Sequence, residues 1–228
     1  MSQTYFISGI DTDCGKTIVT GLLARQLHLS GRKVITQKLV QTGSRVPADD
    51  LRVHRKMMGI GLQEVDRQKL TCPYVFSFPA SPHLAARMEN QTIDVEQITR
   101  ATQMLAKTYD VVLLEGAGGL LVPLSDNLLT IDYLQSMGYP LILVSSSKLG
   151  SINHTLLSLE VCRKRDIEIK AVVYNHLPEE NRLIADESCR FFQEYLNEHC
   201  PETFWLECPV VEGDDYPELD VFKLFETV

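Results

Sequence analysis

Residues 9–17 read Gly-Ile-Asp-Thr-Asp-Cys-Gly-Lys-Thr, and this stretch decides the fold. It follows an apolar run, residues 5–8, that is typical of a β-strand. It opens a segment in which apolar residues recur with helical spacing. Strand, glycine-containing turn, Lys-Thr and helix together form the setting of a phosphate-binding loop, in which backbone amides face a polyphosphate. The stretch therefore predicts a nucleotide site.

Two side chains of this loop have predicted roles. Lys16 would place a positive charge against the outer phosphates, and the Thr17 hydroxyl is a candidate ligand of Mg²⁺. The spacing departs from the general pattern, because Gly9 and Gly15 enclose five residues, one more than usual. The alternative interpretation is an ordinary strand-to-helix turn with a surface lysine.

Composition narrows the class of protein. The chain has 228 residues, 44% of them hydrophobic, and a net charge of −8. This acidic balance argues against non-specific binding to nucleic acid or to an anionic membrane. The six cysteines form no C-x-x-C pair, and we find no signal-peptide pattern and no apolar run long enough to span a bilayer. We expect reduced thiols and a cytoplasmic location.

Apolar runs alternate with helical patterns along the chain, which predicts an α/β fold. We expect a single domain, residues 1–228, with a mainly parallel β-sheet covered by helices on both faces. The predicted strands are 5–8, 34–39, 110–114, 140–146, 167–174 and 203–208. The predicted helices are 17–30, 51–58, 83–89, 95–107, 130–137, 152–165 and 181–197. Residues 40–50 and 71–82 are expected to be loop or irregular connection.

Ligands of such sheets bind at the carboxyl ends of the strands, so polar residues there should share one site. Glu115 follows four apolar residues and would supply a second acid on the Mg²⁺ side, unless it merely opens an exposed loop. Asp50 would offer another oxygen to the metal, or cap the helix that follows. Lys38 and Lys148 are candidate second cations, or ordinary surface lysines. Gly116, Gly118 and Gly119 would let the backbone approach the phosphates.

The sequence contains no motif typical of a zinc enzyme or of a serine hydrolase. The six histidines do not have metal-ligand spacing, and His83, at a predicted helix start, is expected to be structural. No H-E-x-x-H motif or nucleophile elbow is present. We therefore set aside zinc and serine-hydrolase chemistry.

Five segments of the chain, spread over most of residues 1–176, resemble the dethiobiotin synthetase family. They are residues 9–17, Lys38 with residues 42–44, residues 81–83, residues 115–119 and residues 148–154. The unusual glycine spacing of the loop is the form found in that family, whose members have the P-loop NTPase fold. The last fifty or so residues match weakly.

The resemblance implies a homodimeric ligase of biotin biosynthesis that uses 7,8-diaminononanoate, CO2 and ATP with Mg²⁺. One amine of the diamine would capture CO2 as a carbamate, which attacks the γ-phosphate. The second amine would then close a cyclic urea and expel phosphate. Nothing in the resemblance implies a nucleic-acid or membrane partner.

The resemblance also assigns residues. Lys16 and Lys38 resemble the catalytic lysines, and Thr17, Asp50 and Glu115 the Mg²⁺ ligands. The implied ATP-binding residues are Asp13, Cys14, Gly15, Lys16, Thr17, Ile18, Asp50, Glu115, Gly116, Ala117, Gly118, Asn175, His176, Pro209, Val210 and Val211. The implied substrate-binding residues are Thr42, Lys148, Gly150, Ser151 and Asn153, with the site at the dimer interface.

The chain departs from the family at several positions. Leu39 stands where a proline is usual, and Cys14 stands where an aliphatic residue is usual. Asp49 and Asp50 are adjacent, so either could be the acid on the metal side. The assignment of Pro209, Val210 and Val211 to the adenine depends on the weakly matching end of the chain.

Other interpretations stay open at this point. A nucleotide-switch ATPase of the partition and cell-division type would act through protein partners, but such proteins carry a further lysine near the loop start, and here no lysine precedes Lys16 in the loop. The related synthetase-amidotransferases of cobalamin biosynthesis usually carry a glutaminase domain, for which this chain is too short. An inactive nucleotide-binding module is the third alternative.

Overall fold

The computed structural model describes residues 2–177 and 181–225, with the backbone alone at Phe222. The predicted domain limits, residues 1 and 228, lie outside the described residues. The strands are β1 (Gln3–Gly9), β2 (Val34–Lys38), β3 (Val111–Gly119), β4 (Pro123–Ser125), β5 (Leu128–Leu129), β6 (Leu141–Ser146), β7 (Ile169–Asn175) and β8 (Phe204–Cys208). The helices are α1 (Lys16–Leu29), α2 (Asp49–Met57), α3 (Glu64–Arg67), α4 (Pro82–Met88), α5 (Val95–Ala106), α6 (Thr130–Met137), α7 (Ser151–Lys164), α8 (Arg182–His199) and α9 (Phe222–Phe225).

Six strands form one parallel sheet in the order β2-β3-β1-β6-β7-β8. The chain leaves β1 toward β2 on one side and later returns to place β6 on the other side, so the strand order reverses at β1. Ligands of open α/β sheets bind at such a reversal, outside the carboxyl ends of the strands. The loop that follows β1 lies at this point.

The sheet divides the core into two layers because successive strand residues face opposite sides. In β1, Tyr5 and Ile7 pack with the buried residues of α1, while Phe6 packs with α4 and α6 on the other side. Burial of apolar side chains contributes about 25 cal/mol per Å² of area, so both faces stabilise the sheet. The prediction of a mainly parallel sheet covered on both faces is confirmed.

Two corrections bear on the site. Strand β3 does not end at Leu114 but continues as far as Gly119, because Gly119 pairs with Gly9 of β1. Helix α2 begins at Asp49 with Ala48 as its N-cap, so Asp50 lies in the first turn and is not the cap that we considered. The hairpin of β4 and β5, and the short helices α3 and α9, were not predicted.

Several element ends follow general capping rules. Asp94 caps α5, since its carboxylate accepts a hydrogen bond of 2.9 Å from the amide of Glu96. Asn181 caps α8 in the same way, through the amide of Leu183. Gly31 follows the end of α1 with φ 83°, the left-handed conformation that glycine adopts at low cost. The remaining predicted bounds differ from the observed ones by a few residues.

Candidate active site

The phosphate-binding loop joins the end of β1 to the start of α1. Gly15, the N-cap of α1, has φ 96°, and a methyl group there would overlap the side-chain amide of Asn175. Glycine is thus required twice over, by conformation and by space. The Lys16 ammonium is almost buried and donates a hydrogen bond of 2.8 Å to the backbone oxygen of Asp11. This hydrogen bond fixes the Lys16 side chain against the backbone of its own loop.

A cluster of oppositely charged side chains lies beside the loop. The Nζ atom of Lys38 is 2.7 Å from Oε1 of Glu115 and 2.5 Å from Oδ2 of Asp50. The hydroxyl of Thr17 donates to the same Glu115 oxygen at 3.3 Å. Sheet register sets this geometry, because Lys38 and Glu115 are paired positions of the neighbouring strands β2 and β3. Paired residues of adjacent strands present their side chains on the same face.

Burial and charge act against each other at this cluster. Burial disfavours the charged form of Lys38, but the carboxylates of Glu115 and Asp50 outweigh it and raise the pKa of Lys38 above its ordinary value. Burial also opposes ionisation of Glu115, and Lys38 together with His54 outweighs that effect, so the pKa of Glu115 is lowered. At neutral pH the lysine is therefore cationic and the glutamate anionic.

His54 is a site residue that sequence reasoning missed. It is fully buried on α2, and its Nε2 atom lies 3.1 Å from Oε2 of Glu115, an approach that is poorly aligned for a hydrogen bond. Its Nδ1 atom lies 3.0 Å from the hydroxyl of Thr36. A signal was present, since Asp50 and His54 have the i,i+4 spacing that places both on one helix face.

A buried ion pair supports this histidine from the side away from the loop. The guanidinium of Arg55 donates to both carboxylate oxygens of Asp66, at 3.0 and 2.7 Å. It also donates to the hydroxyl of Thr36 at 2.7 Å. Burial alone would raise the pKa of Asp66, but the hydrogen bonds from Arg55 prevail and lower it. Thr36 thus connects this pair to His54.

A cavity of about 970 Å³ opens above the loop and the charged cluster. Most of the predicted site residues line it. They are Asp13, Gly15, Lys16, Thr17, Ile18, Lys38, Thr42, Asp50, Glu115, Ala117, Gly118, Asn175, His176, Val210 and Val211. The volume lies within the range of sites that bind cofactors or other small molecules.

Three predicted ATP-binding residues do not line this cavity. The side chain of Cys14 is buried, and its sulfur donates to the backbone oxygen of Asp11, so only the backbone of Cys14 is placed to contact a ligand. Gly116 lies against the ring of Phe6, which a methyl group there would approach to 3.2 Å. Its lack of a side chain therefore serves packing inside β3. Pro209 is exposed beside Val210.

Four predicted substrate residues lie apart from this cavity, around the start of α7. Lys148, Gly150 and Asn153 are exposed, whereas Ser151 is buried, and its hydroxyl has no hydrogen-bond partner among residues 2–177 and 181–225. Thr42 alone of the predicted substrate residues lines the cavity. In one chain, the two parts of the predicted substrate site are therefore separate.

Asn175, which lines the cavity, is hydrogen-bonded to the phosphate-binding loop. The side-chain amide of Asn175, at the end of β7, donates to the backbone oxygen of Cys14 at 3.1 Å. The ring of His176 lies 3.0 Å from a carboxylate oxygen of Glu207. Asn175 therefore positions the loop as well as lining the pocket, a role that the sequence analysis did not predict.

Other lining residues were not predicted individually as part of the site. They are Thr12, Val40, Gln41, Pro79, Ala80, Ser81, Pro82, Val122, Leu177 and Gly213. Ser81 and Pro82 belong to residues 81–83, one of the segments that resemble the family, and that resemblance is the sequence signal that could have included them. Gln41 forms an isolated bridge with Val75, which brings the irregular connection 71–82 to the cavity.

The oxygen donors at the loop fit Mg²⁺. A threonine hydroxyl and two carboxylates meet around Lys38, and Mg²⁺ binds through one or two carboxylates together with substrate phosphates. In the part of the chain that the structure describes, no group of three or more His, Cys, Asp or Glu side chains forms a metal cage of its own. Such a set suits a metal that arrives with a nucleotide.

The fold and the site together define a P-loop nucleotide-binding protein of the α/β class. A family model described as an AAA domain matches residues 3–201. Among solved structures, pNOB8 ParA bound to nonspecific DNA aligns over 99% of this chain and 92% of its own, with TM-score 0.57 and 13% identity. The signal recognition particle receptor FtsY from Elizabethkingia anophelis aligns over 96% and 62%, with TM-score 0.53 and 16% identity. These two likenesses concern the fold alone.

Curated relatives are more specific. ATP-dependent dethiobiotin synthetase BioD 2 of Pasteurella multocida is 52% identical over 205 residues, which is 90% of this chain and 96% of that protein. The enzyme with the same description from Haemophilus influenzae is 58% identical, over 81% and 97%. ATP-dependent dethiobiotin synthetase BioD of Chlorobaculum tepidum is 57% identical, over 80% and 77%. The chain belongs to the ATP-dependent dethiobiotin synthetase family, a family of ligases in biotin biosynthesis.

No helix within the described residues has the length and apolar character needed to cross a bilayer.

Proposed function

We propose that this protein carboxylates 7,8-diaminononanoate with CO2 and closes the product to dethiobiotin, with conversion of ATP to ADP and phosphate. The observation that carries the proposal is the convergence of Lys16, Lys38, Thr17, Asp50 and Glu115 on one cavity at the reversal of strand order. Two cations and a set of oxygen donors in that position match what transfer of a phosphoryl group requires.

The phosphate end of the cavity has the better-defined roles. The amides around Gly15 and the start of α1 would face the polyphosphate, and Lys16 would neutralise its outer charges. Thr17, Asp50 and Glu115 would hold Mg²⁺, which when bound neutralises charge that develops on the transferred phosphoryl group. Asp50 is favoured over Asp49 because its carboxylate pairs with Lys38, whereas Asp49 is exposed.

Lys38 is positioned for the chemical step. The carbamate formed from one amine and CO2 attacks the γ-phosphorus, and ADP leaves. The second amine then attacks the carbamoyl carbon, phosphate leaves, and the amine protons are released to solvent. A fixed cation beside the transferring group stabilises the negative charge that accumulates on its oxygens. Lys38 is held near that position by Glu115 and Asp50 before any substrate arrives.

The substrate half of the site requires a second copy of the chain. Lys148 and Gly150, in the loop before α7, and Asn153, in its first turn, are on the surface near the exposed Leu149. Leu121 and Leu157 are also exposed, and both line a groove of about 530 Å³ that includes His154 of the same helix. We infer a homodimer through this apolar face, which would bring the start of α7 to the partner's cavity and its Thr42. A helix start offers amides to the substrate carboxylate.

The proposal also covers the adenine contacts, the domain organisation and the cellular location. Asn175 and His176 would contact the adenine, with Val210 and Val211 against its face, since all four line the cavity. We also propose that residues 1–228 act as one domain, because the strands that carry Lys38, Glu115 and Asn175 belong to one sheet. The cytoplasm is the proposed location, where ATP and CO2 are supplied. Nucleic acids and membranes are not proposed as partners, given the net charge of −8.

The direct test is incubation with the diamine, isotopically labelled bicarbonate and Mg·ATP, followed by mass detection of the cyclic urea. We expect a labelled product, and ADP release that requires both the diamine and bicarbonate. ATP turnover that ignores the diamine would reject this function and favour a nucleotide switch.

A further inference from the structure

His54 has no role in the reaction described above, yet it is a fully buried titratable group beside the site. His54 and Glu115 are both fully buried, and Nε2 of the His54 ring lies 3.1 Å from a Glu115 carboxylate oxygen. A buried polar ring is costly unless its nitrogen atoms have partners. The neighbours of its two nitrogens therefore indicate what the ring does.

The two oxygens of Glu115 have different surroundings. Oε1 faces the site and receives the Lys38 ammonium at 2.7 Å and the Thr17 hydroxyl at 3.3 Å. Oε2 has no well-aligned hydrogen-bond partner among the described residues, and Nε2 of His54 lies 3.1 Å from it. Removal of the ring would take away this polar neighbour of a buried anionic oxygen.

The polar groups behind the ring favour a proton on Nε2. Arg55 donates to the Thr36 hydroxyl oxygen at 2.7 Å, and the hydroxyl hydrogen remains available for Nδ1 of His54 at 3.0 Å. With Nδ1 as acceptor, the ring proton lies on Nε2 and points toward Glu115. Hydrogen bonds thus connect Asp66, Arg55, Thr36 and His54 in that order, and Nε2 of His54 lies 3.1 Å from Oε2 of Glu115.

We propose that His54 is a positioning residue, which holds Oε2 of Glu115 so that Oε1 is presented to the metal side of the site beside Lys38. This inference rests on the proposed metal role of Glu115. Groups that orient a ligating carboxylate in this way are worth about 10- to 100-fold in metal affinity. The effect should appear in metal binding and not in the binding of the nucleotide alone.

The test compares three substitutions of one ring. His54→Gln keeps a donor near the position of Nε2, His54→Asn keeps one only near Nδ1, and His54→Leu keeps neither. Mn²⁺ is titrated into the full-length protein with a non-hydrolysable ATP analogue and followed by electron paramagnetic resonance. The affinity for the analogue without metal is measured by calorimetry.

We expect His54→Leu and His54→Asn to weaken Mn²⁺ binding about tenfold or more, and His54→Gln to restore it to within about threefold of the wild type. Affinity for the metal-free analogue should stay within about threefold in all three. Wild-type metal affinity in His54→Asn, or equal losses in His54→Gln and His54→Asn, would overturn the proposal. If His54→Leu does not fold, the Asn and Gln variants still decide.

Glu115→Gln separates this inference from the function on which it rests. If that variant loses metal affinity while His54→Asn does not, only the role of His54 is wrong. If Glu115→Gln binds Mn²⁺ like the wild type, the proposed metal role of Glu115 fails, and the positioning role of His54 fails with it.

Discussion

The ammonium of Lys38 lies 2.5 Å from Oδ2 of Asp50, although Lys38 ends the edge strand β2 and Asp50 lies in the first turn of α2. Asp50 is partly exposed, whereas Lys38 is buried. The Lys38 ammonium therefore contacts both the partly exposed carboxylate of Asp50 and the buried carboxylate of Glu115. This link places a single cation between the two acids proposed to hold the metal.

Lys38 should matter far more for turnover than for nucleotide binding. We expect Lys38→Gln to lower kcat by about 10²-fold or more, because its charge acts most strongly as negative charge develops in the transition state. The dissociation constant of a non-hydrolysable ATP analogue should change by no more than about threefold. Steady-state kinetics and calorimetry measure the two quantities. Lys107→Gln, at an exposed position, is the matched control. Equal losses in affinity and kcat would show that Lys38 only binds ground-state phosphate.

The charged cluster of Lys38, Asp50 and Glu115 should make the free energy of unfolding depend on pH in the acid range. The pKa of Glu115 is lowered from its ordinary value of 4.5, so its contribution to the free energy of unfolding is fully present above that pH and is lost as pH falls through the folded-state value. The pKa of Lys38 is raised, so its contribution is lost only above its ordinary value of 10.5. Between these limits the contribution of the pair should be constant.

Urea denaturation of Glu115→Gln from pH 3 to 7 checks this expectation. The variant should be about 3–5 kcal/mol less stable at pH 7, since Lys38 loses a buried partner, and the difference should shrink toward pH 3. Glu202→Gln, at an exposed position, should follow the wild-type curve throughout. A difference between Glu115→Gln and wild type that is constant with pH would contradict the lowered pKa.

Gly15 should be intolerant of a side chain for a reason specific to the site. In Gly15→Ala the methyl group would meet the amide of Asn175, so the loop must move, and we expect a loss of about 10²-fold in nucleotide affinity. Gly31 is a matched control, because its φ of 83° is similar and nothing lies within 4 Å of a methyl group there. Both variants should lose about 1–2 kcal/mol of stability from the left-handed backbone. Equal nucleotide binding by the two would refute the steric argument.

The apolar face beside α7 should be the dimer interface. Leu157 is 60% exposed, and Leu157→Glu would place a charge within the proposed contact, so sedimentation velocity should show monomers and activity should fall. Leu183 is 80% exposed at the start of α8, and Leu183→Glu should remain dimeric and active. An unchanged sedimentation coefficient for Leu157→Glu would place the interface elsewhere.

The site residues that could be predicted are those that short sequence patterns indicate. The phosphate-binding loop and Glu115 follow from short-range patterns, namely a strand that ends in a glycine turn and a buried strand that ends in an acid. Lys38 could be placed at the same edge, because parallel strands end together. The two lysines and three oxygen donors were thus located from sequence, although their roles stay predictions.

The missed features depend on contacts between distant segments. The position of His54 is known only once α2 is seen to begin at Asp49 and to bring the ring to Glu115 of β3. The glycines after Glu115 suggest a loop, yet they continue β3 because Gly119 pairs with Gly9 across the sheet. Cys14 turns inward because Asp13 and Gly15 on either side both have positive φ, a conformation that the sequence does not specify.

The pairing of Lys38 with Glu115 across β2 and β3 also has a consequence for how the sheet assembles. A slip of β2 by one residue would turn Lys38 to the opposite side and leave Glu115 ionised in the interior with no ammonium beside it. The other buried polar side chains of β2 depend on the same alignment, since Thr36 accepts a hydrogen bond from Arg55 and Gln37 accepts one from Thr102. The polar side chains of β2 that form this part of the proposed site would therefore also disfavour misaligned strand pairing during folding.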